Sequence, residues 1–408
     1  MRLDIADHPW LGEAGLVAVF DAIAAVGGEA RVAGGAVRNA LLGEKVRDVD
    51  LAATLEPPAI VSALGKAGIK VVPTGIEHGT VTAISGGTPY EITTLREDVE
   101  TDGRRALVRF GTSWKKDAER RDLTMNALYC DRYGTVHDPI GGLPDLKARQ
   151  VRFIGDAARR IEEDYLRILR FFRFFACYGS GRPDAEGLKA AARLKPGLGR
   201  VSAERIWSEF KKILAAPDPG RALLWMRTTG VLTQILPESE KWGIDLVRPL
   251  IEAETRFSWP PDVLLRLETM FRPTPENVER LVERLKISNA CKARLAAWAV
   301  TDLPKDGVDA RDLKIRLYRG NRTALLDRLR LNAATAILNG DEPLAGQFAE
   351  AVEMAESWDV PVFPVSGKDL KKAGLAEGRE LGGKLGELEQ RWIDSGFSLT
   401  RHDLLAMM

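Results

Sequence analysis

The 408-residue sequence predicts an α+β fold: a small head built on a mixed sheet, followed by an all-helical remainder. Three observations predict it. Over the first 145 or so residues, helical and extended patterns alternate. After residue 145 the strand signals nearly stop. Pro/Gly punctuation at 216–220 (APDPG) and 259–262 (WPPD) then cuts the helical remainder into segments. Three domains are expected, over residues 1–145, 146–238 and 239–408.

The elements follow in order. Residues 12–26 (GEAGLVAVFDAIAAV) carry the apolar spacing of an amphipathic helix. Residues 30–33 read as a short strand, broken by Gly34-Gly35, and 36–42 as a short helix. Residues 46–53 (VRDVDLAA) read as a strand. Pro57-Pro58 opens a helix, since proline is tolerated in a first turn. Three β-rich runs follow at 70–73, 80–84 and 90–95, with Gly86-Gly87 placed as a hairpin turn. Residues 96–111 (REDVETDGRRALVRFG) are polar and charged and read as a mobile loop; 127–130 is again β-rich. Beyond 145, helices are expected over 156–177, 186–194, 202–215, 219–229 and 246–256, then to the end. There is no fixed-period repeat and no low-complexity stretch.

Composition excludes several classes. The 59 Lys+Arg against 58 Asp+Glu leave a net charge of +1, so any surface for a polyanion must be local. It is local: residues 147–212 hold 16 Lys+Arg against 8 Asp+Glu. That surplus suits a polyanion partner, and equally a solvated helical surface. Three scattered cysteines (Cys130, Cys177, Cys291) form no CxxC pair, which argues against a disulfide scaffold and a thiolate zinc site and suits a reducing compartment. Four histidines (His8, His78, His137, His402) lie far apart. No apolar run reaches about 18 residues, so no membrane span is expected. The start MRLDIADHPW carries acids and no apolar core, so a signal peptide is not expected and the cytoplasm is the expected compartment.

Three clusters bear chemistry. The first is Gly34-Gly35-Ala36-Val37-Arg38 followed by Asp48-Val49-Asp50. On a strand, Asp48 and Asp50 would point to one face, where two carboxylates repel unless a hard cation such as Mg²⁺ lies between them. Glycines before a helix let a triphosphate approach the helix-start N–H groups, and Arg38 can add a charged fork. Alone, an Asp-x-Asp is often a solvated edge and a Gly-Gly only a turn; together in one strand–turn–helix–strand unit they favour phosphoryl chemistry. Glu91, on the run 90–95, either completes the metal site or is an exposed strand carboxylate. The second cluster is Arg120-Arg121-Asp122-Leu123-Thr124-Met125-Asn126. Its arginines can hold triphosphate oxygens, and its Asp and Asn can take sugar hydroxyls; a helix cap and surface pair is the plain alternative. The third is Glu163-Asp164-Tyr165-Leu166-Arg167. Within a continuous helix Asp164 and Arg167 share a face as i,i+3, which is also the spacing of an ordinary ion pair. Asp only accepts and Arg only donates. Cytosine and adenine both present an amino donor beside a ring-nitrogen acceptor, and uracil and guanine present the reverse. One Asp/Arg pair can therefore accept C and A and refuse U and G without a template.

In this order the clusters resemble the class II tRNA nucleotidyltransferase and poly(A) polymerase family. The stretches that carry the resemblance are VAGGAVRNALLGEKVRDVDLA, YEITTLR, ERRDLTMNALYCD, DPIGGLPDLKARQVRFIG, EEDYLRILRFFRF and SAERIWSEFKKIL, over the first 215 residues or so. The late GRELGGKLGELEQRWIDSGF resembles C-terminal segments of some members. The resemblance implies a polymerase-β-like catalytic head (1–145), a helical neck holding the base-recognition helix (146–238), and a helical body and tail that bind tRNA (239–408). It implies that Asp48 and Asp50 hold two catalytic Mg²⁺ ions. Gly34, Gly35, Arg38 and Arg121 would bind the triphosphate, Asp122 would face the ribose, and Asp164 and Arg167 would read the base. Arg170 would reach phosphate, and Arg205 in SAERIW would order the neck. Asn126 joins this nucleotide-binding set. The loop 96–111 takes the place of a loop tied to the switch from C to A.

The implied activity is CCA addition to tRNA from CTP and ATP, with no membrane and no DNA partner; the oligomeric state is not implied. A poly(A) polymerase, or an enzyme adding only the terminal A, is the alternative within the family, and a non-catalytic RNA-binding protein the alternative outside it. The chain lacks extra basic sequence after Asp50 (LAATLEPPAI) and at its end (RHDLLAMM), which separates it from poly(A)-type bacterial relatives. It departs from the family in two places. Asn39 stands where many relatives have Asp, and DGRRALVRF lacks the proline that often follows the arginines. Four scattered histidines cannot build the His-Asp phosphohydrolase domain of some relatives, so no phosphatase activity is expected.

Overall fold

In the computed structural model the described residues are 1–408 apart from 73, 74, 77, 78, 103 and 104, with the backbone alone over 97–102 and 105–109. Pro73 of the third β-rich run, His78, and Gly103-Arg104 of the charged segment thus lie outside the described residues. The chain forms two units, Met1–Pro237 and Glu238–Met408.

The first unit opens with α1 (Ala14–Ala24), which buries Leu16, Val19, Phe20 and Ile23, one face at helical spacing. Next come β1 (Ala30–Ala33), α2 (Gly35–Leu42), β2 (Leu51–Ala53), α3 (Pro57–Lys66), β3 (Lys70–Val72), β4 (Thr80–Ser85) and β5 (Thr88–Thr94). They are followed by β6 (Arg96–Asp102), β7 (Arg105–Phe110), α4 (Trp114–Glu119), β8 (Tyr129–Cys130), β9 (Val136–His137) and α5 (Leu143–Lys147). Seven of these strands make one mixed sheet in the order β3-β4-β5-β2-β1-β8-β9. Only β2 and β5 pair in parallel; the other neighbours are antiparallel. Gly86 and Gly87 both take positive φ (58° and 82°) and turn β4 into β5, the backbone that a two-residue hairpin needs.

Two expectations in the head are corrected. The strand expected over 46–53 is only Leu51–Ala53, so Asp48 and Asp50 stand in its approach rather than on a pleat. The reason lies in its partner. Val32 pairs with Leu51, and the Ala33 N–H still reaches the Asp50 carbonyl at 2.8 Å. Then β1 stops at Gly34, whose φ of +64° turns the chain into α2. Residues before Asp50 have no ladder to join. The loop expected over 96–111 is instead the antiparallel pair β6–β7, with an irregularity between Asp98 and Glu100. Its polarity was misleading, because a two-stranded ribbon can satisfy its backbone hydrogen bonds within itself.

The helical part of the first unit runs α6 (Ala157–Glu163), α7 (Arg167–Tyr178), α8 (Ala185–Leu194), α9 (Ala203–Leu214), α10 (Gly220–Thr228) and α11 (Val231–Ile235). A third correction falls here: the helix expected over 156–177 is two helices. Asp164 breaks it at φ −155°, ψ 107°. Its carboxylate accepts from the Leu166 N–H at 3.1 Å and its carbonyl from the Arg167 N–H at 2.9 Å. This local turn competes with helix and starts α7 afresh. Phe171, Phe172, Phe174 and Phe175 are the buried side of α7.

The second unit is helical throughout its described elements: α12 (Val247–Arg256), α13 (Val263–Glu268), α14 (Pro275–Leu285), α15 (Asn289–Val300), α16 (Ala310–Arg319), α17 (Arg322–Leu338), α18 (Glu342–Ser357), α19 (Gly367–Lys372), α20 (Arg379–Asp394) and α21 (Arg401–Leu405). One core gathers Leu325, Leu329, Phe348 and Val352 between α17 and α18. A second gathers Leu370, Leu388, Trp392 and Leu404 near the end of the chain. Among the described residues, no helix is long and apolar enough to cross a membrane.

Candidate active site

A cleft of about 1000 Å³ opens in the first unit. All twelve residues singled out from the motifs line it: Gly34, Gly35, Arg38, Asp48, Asp50, Glu91, Arg121, Asp122, Asn126, Asp164, Arg167 and Arg170. They come from segments up to 136 positions apart, which the sheet and α7 bring together. The lining holds ten Lys/Arg and six Asp/Glu, against near-balance in the whole chain. A cationic wall with an acidic corner suits a polyanion that brings metal ions with it.

Gly34 and Gly35 serve different ends. A Cβ at Gly34 would stand 3.1 Å from Arg121 Nη1 and 3.1 Å from the Asn126 carbonyl, so the chain's own packing requires glycine there. At Gly35 a Cβ would meet only Arg38 Nη2, at 3.8 Å. That side of the α2 N-terminus is open, and helix-start N–H groups lack intrahelical partners.

Arg38 is buried. Nη1 donates to Asn126 Oδ1 at 2.5 Å; Nη2 donates to Asn39 Oδ1 at 2.8 Å and to the Tyr178 hydroxyl at 2.9 Å. Each of these partners is neutral. Burial pulls the guanidinium below its usual range. Arg121 is held differently. Asp117, at 1% exposure, accepts from its Nε at 3.3 Å and Nη2 at 3.2 Å, from Arg120, and from the Tyr129 hydroxyl at 2.7 Å. Burial alone would raise Asp117, but Arg121 and Arg120 outweigh it and hold its pKa below the carboxylate range.

Asp122 and Arg170 pair with each other at the cleft wall. Asp122 Oδ2 accepts from Arg170 Nε at 2.7 Å and Nη2 at 2.6 Å. Its Oδ1 accepts from the Leu123 N–H at 2.9 Å and Asn126 Nδ2 at 3.1 Å. Both carboxylate oxygens are engaged by the protein, and Asp122 and Arg170 partly neutralise each other while both still line the cleft. Asn126 then links Asp122 to Arg38. The chain Arg170–Asp122–Asn126–Arg38–Tyr178 leaves α7 and returns to it.

At the acidic corner Asp48, Asp50 and Glu91 are exposed to the cleft. The recessed setting of Asp50, and then Glu91 and Asp48, push its pKa above the usual carboxylate range. Three carboxylates facing one corner are a donor set that a divalent cation suits. Among the described residues they do not close into a complete metal cage.

Asp164 and Arg167 share the cleft but do not pair. Arg205 Nη2 donates to Asp164 Oδ2 at 2.7 Å. Arg167 donates to Glu163 and, at 2.9 Å, to the Arg160 carbonyl. The i,i+3 helix face is thus replaced by a turn in which each side chain is oriented by its own partner.

Comparison with known proteins bears on this geometry. Residues 30–152 match the family model of the poly A polymerase head domain, and 183–242 that of a probable RNA and SrmB- binding site of polymerase A. The mouse (Mus musculus) mitochondrial CCA tRNA nucleotidyltransferase 1 is 38% identical over 100% of this chain and 92% of its own length. The chain belongs to the class II tRNA nucleotidyltransferase and poly(A) polymerase family. A CCA-adding enzyme of Levilactobacillus brevis is 32% identical over 92% of both chains. The crystal structure of the Bacillus stearothermophilus CCA-adding enzyme in complex with CTP shares the fold, with TM-score 0.73 and 24% identity over 100% of this chain and 97% of that one. The Thermotoga maritima CCA-adding enzyme complexed with tRNA_CCA does so at TM-score 0.65 and 19% identity, over 95% and 92%. The family's nucleotidyltransferases are typically metal-dependent, and the acidic corner has the oxygen donors such a metal takes.

Three residues of this family site escaped the motif reading. Asp117 carried a signal: an acid three and four places before Arg120-Arg121 is an i,i+3/i,i+4 partner for both. Arg173, which pairs with Glu209 at 2.5 Å on the cleft side of α7, continues the three-residue step of Arg167 and Arg170. Tyr178 carried none, because its partner Arg38 is 140 positions away.

Proposed function

We propose that this chain adds C, C and A to the 3′ end of tRNA, taking CTP and ATP and releasing pyrophosphate without a template. One observation carries the reading: the acidic corner, the open start of α2 and the Asp164/Arg167 turn line a single cleft. A full-length likeness to CCA-adding relatives supports it.

The residues divide the work. Arg38, Arg121 and the α2 N-terminus hold the triphosphate. Asp48 and Asp50, with Glu91 beside them, would hold two Mg²⁺ ions, which would supply activation of the primer 3′-hydroxyl and charge stabilisation of the leaving pyrophosphate. Asp164 accepts from the base amino group and Arg167 donates to the ring nitrogen, which admits C and A and refuses U and G. Arg205 and Glu163 keep these two side chains aimed. Asp122, Asn126 and Arg170 brace the wall between head and neck. Most of the rate then comes from position and charge. In this reading residues 1–145 do the chemistry, 146–238 choose the base and 239–408 grip the tRNA.

The test is purified protein with Mg²⁺ and a tRNA transcript ending at the discriminator base, given CTP, ATP or both, with products resolved by mass. Two C additions with CTP, and one A more with ATP, are expected. Open-ended A addition to any RNA would make it a poly(A) polymerase. Addition of A only to tRNA already ending in CC would mean a divided pathway. No incorporation would leave an RNA-binding protein. We place the protein in the cytoplasm, a compartment that suits its free cysteines; the mitochondrial animal relatives are the competing precedent, and cell fractionation decides.

A further inference from the structure

Among the described residues, the buried cation Arg38 has no carboxylate partner. Its hydrogen bonds go to Asn126, Asn39 and Tyr178. Even the adjacent position is the neutral Asn39. A buried guanidinium with no counter-charge is costly, so this corner is built to receive an anion.

We propose that Tyr178 is a further phosphate-binding residue, whose hydroxyl donates to a phosphate oxygen held beside Arg38. The inference rests on the nucleotidyl-transfer reading above and adds a ligand to that site. A phenol has one O–H donor and can also accept. Here the oxygen accepts from Arg38 Nη2 at 2.9 Å, while the ring lies 4.2 Å from the guanidinium carbon. These two contacts fix the hydroxyl. Among the described residues no acceptor faces its proton, and Tyr178 lines the cleft. The same Nη2 borders the open side of Gly35, where an added Cβ would find no other atom within 4 Å. The Tyr178 hydroxyl, the charge of Arg38 and the start of α2 therefore border one open corner. Accepting from a cation also polarises the O–H and strengthens what it donates. A phosphate oxygen reaches this corner from the incoming triphosphate or from the primer backbone, and the two are measured separately.

The test is Tyr178→Phe in the full chain, which keeps the ring over Arg38 and removes only the hydroxyl. KM for CTP and for ATP should rise about tenfold, the loss of one hydrogen bond to a charged group. The inhibition constant of inorganic pyrophosphate should rise by a similar factor. kcat should stay within about twofold, and the melting temperature should fall by no more than a few degrees, since Arg38 Nη2 keeps its bond to Asn39 Oδ1. Calorimetric titration with CTP, and with pyrophosphate, in the absence of tRNA should show the same weakening. That arm holds even if the wild-type protein fails to incorporate nucleotide, an outcome that would remove the transferase reading alone. A rise confined to the KM for tRNA also supports the contact and assigns it to the primer phosphate. Unchanged KM values and unchanged pyrophosphate binding overturn it. So does a loss of kcat alone, which would mark Tyr178 as a structural prop.

Discussion

Replacing Asp122 by alanine removes the hub of the network between the head and α7. Asp122 is buried, and its two oxygens accept from Arg170, Asn126 and the Leu123 N–H at 2.6–3.1 Å. The substitution strands the Arg170 guanidinium and the Asn126 amide. Breaking a buried ion pair by removing one partner costs about 3–5 kcal/mol. The Arg170 side chain is 35% exposed, so water replaces part of what is lost; about 2–3 kcal/mol remains. At ~2–4 °C per kcal/mol for a unit of this size, the first transition should fall by roughly 5–10 °C. The pH dependence has a definite sign. Burial would raise the Asp122 pKa, but Arg170, Asn126 and the Leu123 N–H outweigh it and hold it low. A lowered folded pKa stabilises above the ordinary carboxylate range, and that stabilisation is lost as pH falls through the folded value. Differential scanning calorimetry of both proteins at pH 7, near pH 4 and near pH 2 should show a gap nearly intact at pH 4 that closes only as pH falls further, through the folded value. A gap below about 1 °C at pH 7, or one that widens in acid, would refute the hub role.

Three further outcomes are expected. Asp50→Ala should abolish incorporation while tRNA affinity, read by filter binding, changes less than about threefold; retained turnover would remove Asp50 from the metal site. Asp164→Ala should raise misincorporation of U and G more than it alters the Mg²⁺ dependence; an unchanged preference for C and A would end its role in base reading. Glu268 in the second unit is buried with neither carboxylate oxygen hydrogen-bonded, and burial followed by the neighbouring Asp327 raises its pKa well above the usual range. An acid raised by folding stabilises while protonated and weakens the fold as pH rises toward the folded value. Glu268→Gln should therefore melt near the wild type at pH 5 and several degrees above it at pH 8; equal melting at both would mean that Glu268 is not the group that titrates.

Much of this protein is local and was legible in the sequence. Leu16, Val19, Phe20 and Ile23 mark one helix face by spacing alone, and Gly86-Gly87 marks a hairpin because few other residues tolerate that backbone. The glycine pair, the aspartates and the arginines named their chemistry by type. What depended on a distant partner was not legible. The strand expected through Asp48 stops short because β1 bends away at Gly34. The helix expected through Asp164 breaks because that carboxylate caps the next turn, and only folding supplies Arg205 to hold it, 41 positions on. Nothing local pairs Asp122 with Arg170, which the fold sets 2.6 Å apart. Tyr178 looks like a helix terminus until Arg38 arrives beneath it. Residue type and short-range spacing determine which groups are present and which segments coil. Which charges face the cleft, and which partner orients each of them, is decided by the tertiary structure, because those partners come from segments far apart in the chain.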